Sequence, residues 1–233
     1  TFCDMLPKDK AKKCALVMKS EISSPHGTDL KAVRDALCDT SYVNVFFNQE
    51  KLTPEQMNML YNVADVTVLM SSNEGWGLAL TESMMTGTMI IPNVTGGMQD
   101  QCGFKKKSNG KYFTADDYKQ IGSLHNYREW EDKVTHGEWV KPVWPRVQTM
   151  VGSIPTPYII DDKVDVHEVA DAIKYWYDKT PQERDKAGKK GRKEFLGEMG
   201  LNAKYQNKCM ADGIEKAIKN WKPKQKFNVY KLK

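Results

Sequence analysis

Residues 71–87 read SSNEGWGLALTESMMTG, and this stretch decides how the surrounding chain folds. It follows the apolar run 65–70 and precedes a second apolar run, 88–92. The two glycines around its tryptophan allow a sharp turn, and Leu78 is the predicted first residue of a helix. A strand, a glycine turn, a helix and another strand form a βαβ unit, which predicts parallel strands.

The same alternation extends toward the N-terminus. Short apolar runs at 14–19 and 42–47 predict two more strands, and amphipathic stretches that open at Thr28 and Thr53 predict two more helices. We therefore expect an α/β fold, a Rossmann-like parallel sheet with helices on both faces. In such a sheet, ligands bind at the carboxyl ends of the strands.

The C-terminal part has a different pattern. Residues 104–150 show no sustained period and predict an irregular insertion, which would serve as a lid or a docking surface. C-terminal helices follow from about residue 165: one over 165–177, one opened by the capping box Thr180–Glu183, and one over 202–221.

Composition indicates a globular protein of 233 residues, of which 40% are hydrophobic and 10% aromatic. No apolar run approaches the ~18 residues of a membrane helix, and no signal peptide is visible. The five cysteines form no C-x-x-C pair, so we expect a reducing, cytoplasmic location. Because the four histidines lack ligand spacing and no Asp-x-Asp occurs, we expect no metal and no cofactor.

Charge is distributed unevenly along the chain. Residues 174–233 carry 17 Lys or Arg against 7 Asp or Glu, although the net charge is only +5. A solvated lysine face is the ordinary explanation. Binding of nucleic acid or of an anionic membrane surface through this basic C-terminus is the alternative.

The glycine turn has its own chemistry. Glycines let the backbone approach a ligand closely, and the free N–H groups at the start of the helix favour an anion such as phosphate. A tight connection without a ligand is the alternative. Glu82 shares a helix stripe with Leu78 and Met85, so we expect it to point inward, where a pair of sugar hydroxyls would satisfy it. Glu74 is expected at the rim of the same crevice, although both glutamates also simply favour a helix N-terminus.

These residues resemble a known family. The stretch SSNEGWGLALTESMMTGTMIIPNVTGG, with Glu74 and Glu82 separated by seven residues, is similar to the donor-site signature of retaining glycosyltransferases of the GT-B fold, especially glycosyltransferase family 4. The family pattern contains Glu-Gly-Phe-Gly-Leu, Glu-Ala-Met and a later Gly-Gly. The upstream sequence 60–66, Leu-Tyr-Asn-Val-Ala-Asp-Val, fits the same family, and the resemblance covers residues 14–103 well.

The resemblance implies roles for single residues. Gly77 and Leu78 would offer N–H groups to the donor diphosphate, and Glu82 would bind the ribose hydroxyls. Glu74 would face the transferred sugar, and Lys19 would neutralise the leaving group, so these two are the expected catalytic residues. The remaining donor-binding residues would be Gly75, the aromatic wall Trp76, the neighbouring loop of Thr95, Gly96 and Gly97, and, toward the base, Asn48 and Leu52.

The resemblance also implies a function. We expect residues 1–233 to form one Rossmann-like nucleotide-sugar-binding domain, the C-terminal half of a GT-B fold, with the N-terminal acceptor domain missing or supplied by a partner chain. The expected activity is transfer of a hexose or pentose from a nucleotide-sugar to an unknown acceptor, with retention of anomeric configuration. A GT-B-type epimerase, a phosphorylase and a non-catalytic or split-enzyme nucleotide-sugar-binding subunit are the alternatives.

Overall fold

The computed structural model describes residues 1–23, 27–114, 116–117, 127–197 and 199–223. These residues divide into two compact units, Thr1–Arg192 and Lys193–Lys233. His26 and His125, two of the histidines considered above, lie outside the described residues. Within the described residues, no helix combines the length and the apolar character that crossing a membrane requires.

The first unit is built mainly from alternating strands and helices. A 3-10 helix, Phe2–Met5, and the short helix α1, Lys8–Ala11, come first. The elements that follow are β1 (Ala15–Lys19), α2 (Leu30–Leu37), β2 (Asn44–Asn48), α3 (Pro54–Val63), β3 (Val66–Leu69), α4 (Leu78–Thr86) and β4 (Met89–Pro92). A second 3-10 helix, Gly96–Cys102, follows β4. The predicted order of strands and helices is confirmed over this region.

The strands pair in parallel, as the sequence predicts. β1 pairs with β2 in the register that places Lys19 opposite Asn48, and β3 pairs with β4. Among the described residues, strand hydrogen bonds do not join these two parallel pairs into one sheet. The fold is nevertheless the expected α/β class, because each parallel crossover contains a helix.

Helices cover both faces of the β3–β4 pair. Side chains alternate along a strand, so residues two apart share a face. Met89 and Ile91 pack on one face with Trp176 of α6 (Val166–Tyr177). On the opposite face, the Thr67 hydroxyl accepts a hydrogen bond of 2.8 Å from the Ser83 hydroxyl of α4. The prediction of helices on both faces is therefore confirmed.

Caps define where the helices begin. Thr53 and Gln56 form the capping box of α3, with Pro54 at the first helical position. The cap of α2 differs from the prediction, because Asp29, rather than Thr28, accepts hydrogen bonds from the first turn. A carboxylate is an equally good N-cap acceptor, and it is one residue closer to the helix.

The segment 104–150 is less irregular than the sequence indicates. It contains the short antiparallel pair β5 (Lys105–Lys106) and β6 (Val134–Thr135), the helix α5 (Tyr127–Lys133) and the start of β7 (Val147–Ser153), which pairs with β8 (Thr156–Lys163). Residues 139–144 lie beside β4. The Ile90 N–H donates to the Trp139 carbonyl at 3.1 Å, and the Val94 N–H donates to the Val143 carbonyl at 2.9 Å.

Two prolines explain why the sequence pattern hides this segment. Pro142 and Pro145 interrupt the apolar run, and proline within a run argues against a strand. The N–H groups of Lys141 and Val143 nevertheless donate to β4, and isolated parallel bridges connect Ile90 with Val140 and Asn93 with Val143. Trp139 is 1% exposed. Part of the segment that was predicted to be a lid or a docking surface therefore lies in the hydrophobic core.

The C-terminal helices follow the prediction closely. α6 begins after the cap Asp165, α7 (Pro181–Leu196) after the capping box Thr180–Glu183, and α8 (Ala203–Asn220) after the cap Asn202. In α8, Met210, Ile214 and Ile218 are all exposed, and they recur at helical spacing.

Close contact between α7 and the end of α4 predicts a destabilising substitution. A Cβ added at Gly188 would lie 1.6 Å from the Gly87 carbonyl oxygen, so Gly188→Ala forces two backbones apart. We expect the free energy of unfolding to fall by roughly 1–3 kcal/mol, measured by chemical denaturation.

Gly213→Ala is the matched control, because Gly213 also lies inside a helix but its Cβ would meet nothing within 4 Å. This variant should be unchanged or gain up to about 1 kcal/mol from better helix propensity. Equal losses in the two variants would contradict the packing argument.

Candidate functional site

The loop between β3 and α4 turns sharply at Gly77. The backbone there has φ +83°, in the left-handed region that favours glycine, and an added Cβ would lie 2.8 Å from Met98 Cγ. The helix begins at Leu78, as predicted, and Leu78 is 68% exposed. The Leu80 N–H donates to the Gly77 carbonyl oxygen at 3.0 Å. Because Gly77 has no side chain with which to cap α4, the N–H groups of Leu78 and Ala79 are left for another acceptor.

A second glycine loop packs directly against the first. The Gly97 N–H donates to the Glu74 carbonyl oxygen at 3.1 Å. A Cβ at Gly96 would lie 2.0 Å from that same oxygen, and a Cβ at Gly97 would lie 2.2 Å from the Gly75 carbonyl oxygen. The two loops therefore touch backbone to backbone, and the structure brings together the glycine loops that the sequence singles out.

Gly75 differs from the other glycines of the two loops. A Cβ added there would meet nothing within 4 Å, and its φ lies outside the left-handed region. Neither strain nor close packing within the described residues therefore requires glycine at this position. Its open side is where a ligand would approach the backbone most closely.

Glu74 immediately precedes Gly75 on the first glycine loop. It is half-buried, and within the described residues its carboxylate has no hydrogen-bond or ion-pair partner. A half-buried carboxylate without a partner favours a ligand that donates hydrogen bonds.

Hydrogen bonds to the buried side chain of Gln101 hold the first loop against the 3-10 helix Gly96–Cys102. The Trp76 indole N–H donates to the Thr81 hydroxyl at 2.7 Å, which donates to Gln101 Oε1 at 3.0 Å. Gln101 Nε2 in turn donates to the Trp76 carbonyl oxygen at 2.5 Å and to the Gly77 carbonyl oxygen at 3.3 Å. Gln101 is fully buried, and sequence reasoning missed it because an isolated glutamine carries no motif.

Glu82 does not point inward, which corrects the sequence prediction. It is exposed, and so are Leu78 and Met85 on the same stripe, at 68% and 44%. α4 instead buries the stripe of Leu80 and Ser83, together with Met84. The two stripes are similarly apolar, so the periodicity could not tell which one faces the sheet. On the exposed stripe, Glu82 Oε2 accepts a hydrogen bond of 2.9 Å from the Tyr61 hydroxyl.

Asp162, at the end of β8, connects both glycine loops and was not predicted from the sequence. Its carboxylate accepts hydrogen bonds from the Thr95 hydroxyl and from Gln148 Nε2. Its N–H donates to the Ser72 carbonyl oxygen at 2.9 Å, and its carbonyl oxygen accepts from Asn93 Nδ2 at 3.0 Å. Because Asp162 is only 6% exposed and Thr95 only 4%, this cluster supports the loops from behind.

Three predicted residues belong to the region of the β1–β2 pair rather than to the glycine loops. Lys19 and Asn48 are register partners at the carboxyl ends of β1 and β2, and Leu52 is half-buried shortly after β2. In the described part of the chain, no hydrogen bond or ion pair connects them to the loops. Lys19 is exposed, whereas Asn48 Oδ1 is buried without a hydrogen-bond partner.

The described residues contain no group of three or more His, Cys, Asp or Glu side chains that could hold a metal ion. The groups best placed to hold a ligand are instead the N–H groups at the start of α4 and the carboxylates of Glu74 and Glu82.

The region that contains both loops is similar to a known protein family. Residues 41–123 match the family model described as glycosyl transferases group 1. That segment is similar to this group of enzymes. The match includes all the predicted site residues except Lys19, which precedes it. No curated protein matches the chain.

The chain is also similar to several solved structures. One of them is the catalytic domain of starch synthase IV from Arabidopsis thaliana bound to ADP and acarbose, at 12% sequence identity and a TM-score of 0.39. The alignment covers 78% of this chain and 29% of that chain. This chain therefore spans less than a third of that structure's length.

The geometry of the loops predicts different effects on stability for two substitutions. Gly97→Ala should lower the free energy of unfolding by roughly 1–3 kcal/mol, because its Cβ would collide with the backbone of residues 75 and 76. Gly75→Ala should leave that free energy unchanged, because its Cβ meets open space. Urea denaturation followed by circular dichroism measures both, and a stable Gly97→Ala variant would contradict the contact between the loops.

Proposed function

We propose that this chain binds the nucleotide portion of a nucleotide-sugar and takes part in transfer of the sugar to an acceptor, with retention of anomeric configuration. The observation that carries the proposal is that the segment similar to glycosyl transferases group 1 contains both glycine loops, which touch at the carboxyl ends of two paired parallel strands. This is where parallel sheets bind their ligands.

The N–H groups at the start of α4 form the diphosphate site in this proposal. Gly77 and Leu78 donate to phosphate oxygens, where the helix dipole also favours negative charge. The open side of Gly75 lets the diphosphate approach the backbone. Negative charge that develops on the leaving diphosphate is then stabilised by donors already in place. Lys19 supplies a full positive charge if the ligand reaches the end of β1.

The two glutamates act on the sugars. Glu82 accepts hydrogen bonds from the ribose hydroxyls, and Glu74 faces the transferred sugar because it lies ahead of the diphosphate site on the same loop. Trp76 forms a wall beside them. Thr95 contributes through the position of its loop, since its hydroxyl is engaged by Asp162. Asn48 and Leu52 lie toward the base.

Nucleotide binding tests the proposal without knowledge of the acceptor. Isothermal titration of the chain with ADP, UDP and GDP should detect binding of at least one of them at about 1 mM, which needs only about 4 kcal/mol of binding free energy. Gly75→Ala should weaken that binding about 10-fold or more, because its methyl group fills the space the diphosphate needs, equivalent to about 1.4 kcal/mol. Glu82→Ala should weaken it as well, through loss of the ribose contact.

The melting temperature of the variant provides the control for the binding measurement. Gly75→Ala should melt at the wild-type temperature, so that lost binding reflects the site alone. The proposal is wrong if the wild type binds no nucleoside diphosphate at this concentration, or if both variants bind as the wild type does.

A further inference from the structure

Glu82 is held by a buried tyrosine from the neighbouring helix. Tyr61, near the end of α3, is 9% exposed, and its carbonyl oxygen accepts a hydrogen bond of 2.8 Å from the Thr88 hydroxyl. Its own hydroxyl donates to Glu82 Oε2 at 2.9 Å. The body of the tyrosine is therefore fixed in the protein, while its hydroxyl reaches an exposed carboxylate on α4.

The direction of this hydrogen bond is fixed by chemistry. Burial, and then the hydrogen bond to Glu82, raise the pKa of the Tyr61 hydroxyl above its usual range, so the phenol keeps its proton at physiological pH. An ionised carboxylate only accepts hydrogen bonds. Tyr61 is therefore the donor, and it occupies one acceptor position of Glu82 Oε2.

A glutamate on an exposed helix face samples many rotamers when nothing holds it. Ordering such a side chain when a ligand binds costs conformational entropy, and a side chain that is already held avoids much of that cost. The hydrogen bond from Tyr61 restricts the position of Oε2 and leaves the second carboxylate oxygen for another donor. Within the described residues, no other hydrogen bond to this carboxylate is present.

We infer that Tyr61 is a positioning residue, which orients the Glu82 carboxylate to accept hydrogen bonds from a vicinal diol of the ligand. This inference rests on the proposed function, in which the diol belongs to the ribose of the nucleotide. Tyr61 itself does not touch the ligand in this arrangement. It makes the site selective for ribose over sugars that lack the two hydroxyls.

The test compares two ligands that differ only in the diol. Isothermal titration measures binding of the best nucleoside diphosphate and of its 2′,3′-dideoxy analogue to the wild type and to Tyr61→Phe. We expect Tyr61→Phe to weaken ribonucleotide binding about 3- to 10-fold, because the freed Glu82 side chain must then be ordered when the ligand binds. Binding of the dideoxy analogue should stay within about 2-fold, because a ligand without the diol makes no use of the oriented carboxylate.

Glu82→Gln completes a double-mutant cycle. If Tyr61 acts through the carboxylate, Tyr61→Phe should have little further effect on ribonucleotide binding in the Glu82→Gln protein. A purely structural role for Tyr61 would instead weaken both ligands equally and would persist in the Glu82→Gln background.

Tyr42→Phe is the matched control. Tyr42 also donates to a carboxylate, Asp4 Oδ1, at 2.6 Å, but it precedes the amino end of β2, away from the strand ends where the ligand is proposed. Loss of the Tyr42 hydroxyl should change neither the affinity for the ribonucleotide nor that for its dideoxy analogue.

The outcomes separate this inference from the proposed function. If the wild type prefers the ribonucleotide, and Glu82→Gln abolishes the preference but Tyr61→Phe keeps it, the role of Tyr61 is wrong and the proposed function survives. If the wild type binds no nucleoside diphosphate, both fail together.

Discussion

The candidate site depends on one contact, the approach of two backbones where β3 and β4 end. The Gly97 N–H reaches the Glu74 carbonyl oxygen, and no side chain fits between the loops at Gly96 or Gly97. This contact fixes the backbone of Glu74. It also fixes the start of α4, because Gly77 follows Glu74 by only three residues. Loops of this kind are precise only when a rigid scaffold holds them.

That scaffold comes from a part of the chain distant in sequence. Asp162 follows Thr95 by 67 residues and holds both loops through its carboxylate and its backbone. The β7–β8 hairpin that carries Asp162 is largely exposed elsewhere, with Met150 at 70% and Ile154 at 99%. Its contribution to the site is therefore this polar connection, in which the Asp162 N–H satisfies the carbonyl group of Ser72.

The sequence predicted local features well and long-range ones poorly. The turn at Gly77, the capping boxes at Thr53 and Thr180 and the parallel pairing follow from residues close together in the chain, where glycine conformations and capping hydrogen bonds act. The burial of 139–144 was missed because Pro142 and Pro145 disrupt the strand pattern. Asp162 and Gln101 were missed because their partners are far away in sequence. The face of α4 that carries Glu82 was misassigned, since both stripes are apolar and only packing decides between them.

The partners of three acids explain how the same functional group serves three purposes. Asp162 is buried, and both its oxygens accept hydrogen bonds from the scaffold, so its charge stabilises the loops. Glu82 gives one oxygen to Tyr61 and exposes the rest of its carboxylate, so it is held and still able to bind. Glu74 has no partner in the described part of the chain, although it is half-buried.

A carboxylate in that last position keeps its full capacity to accept hydrogen bonds, at some cost in desolvation. Proteins retain such groups where a ligand repays the cost. The number of scaffold hydrogen bonds thus falls from Asp162 to Glu82 to Glu74, and the capacity to act on a ligand rises in the same order.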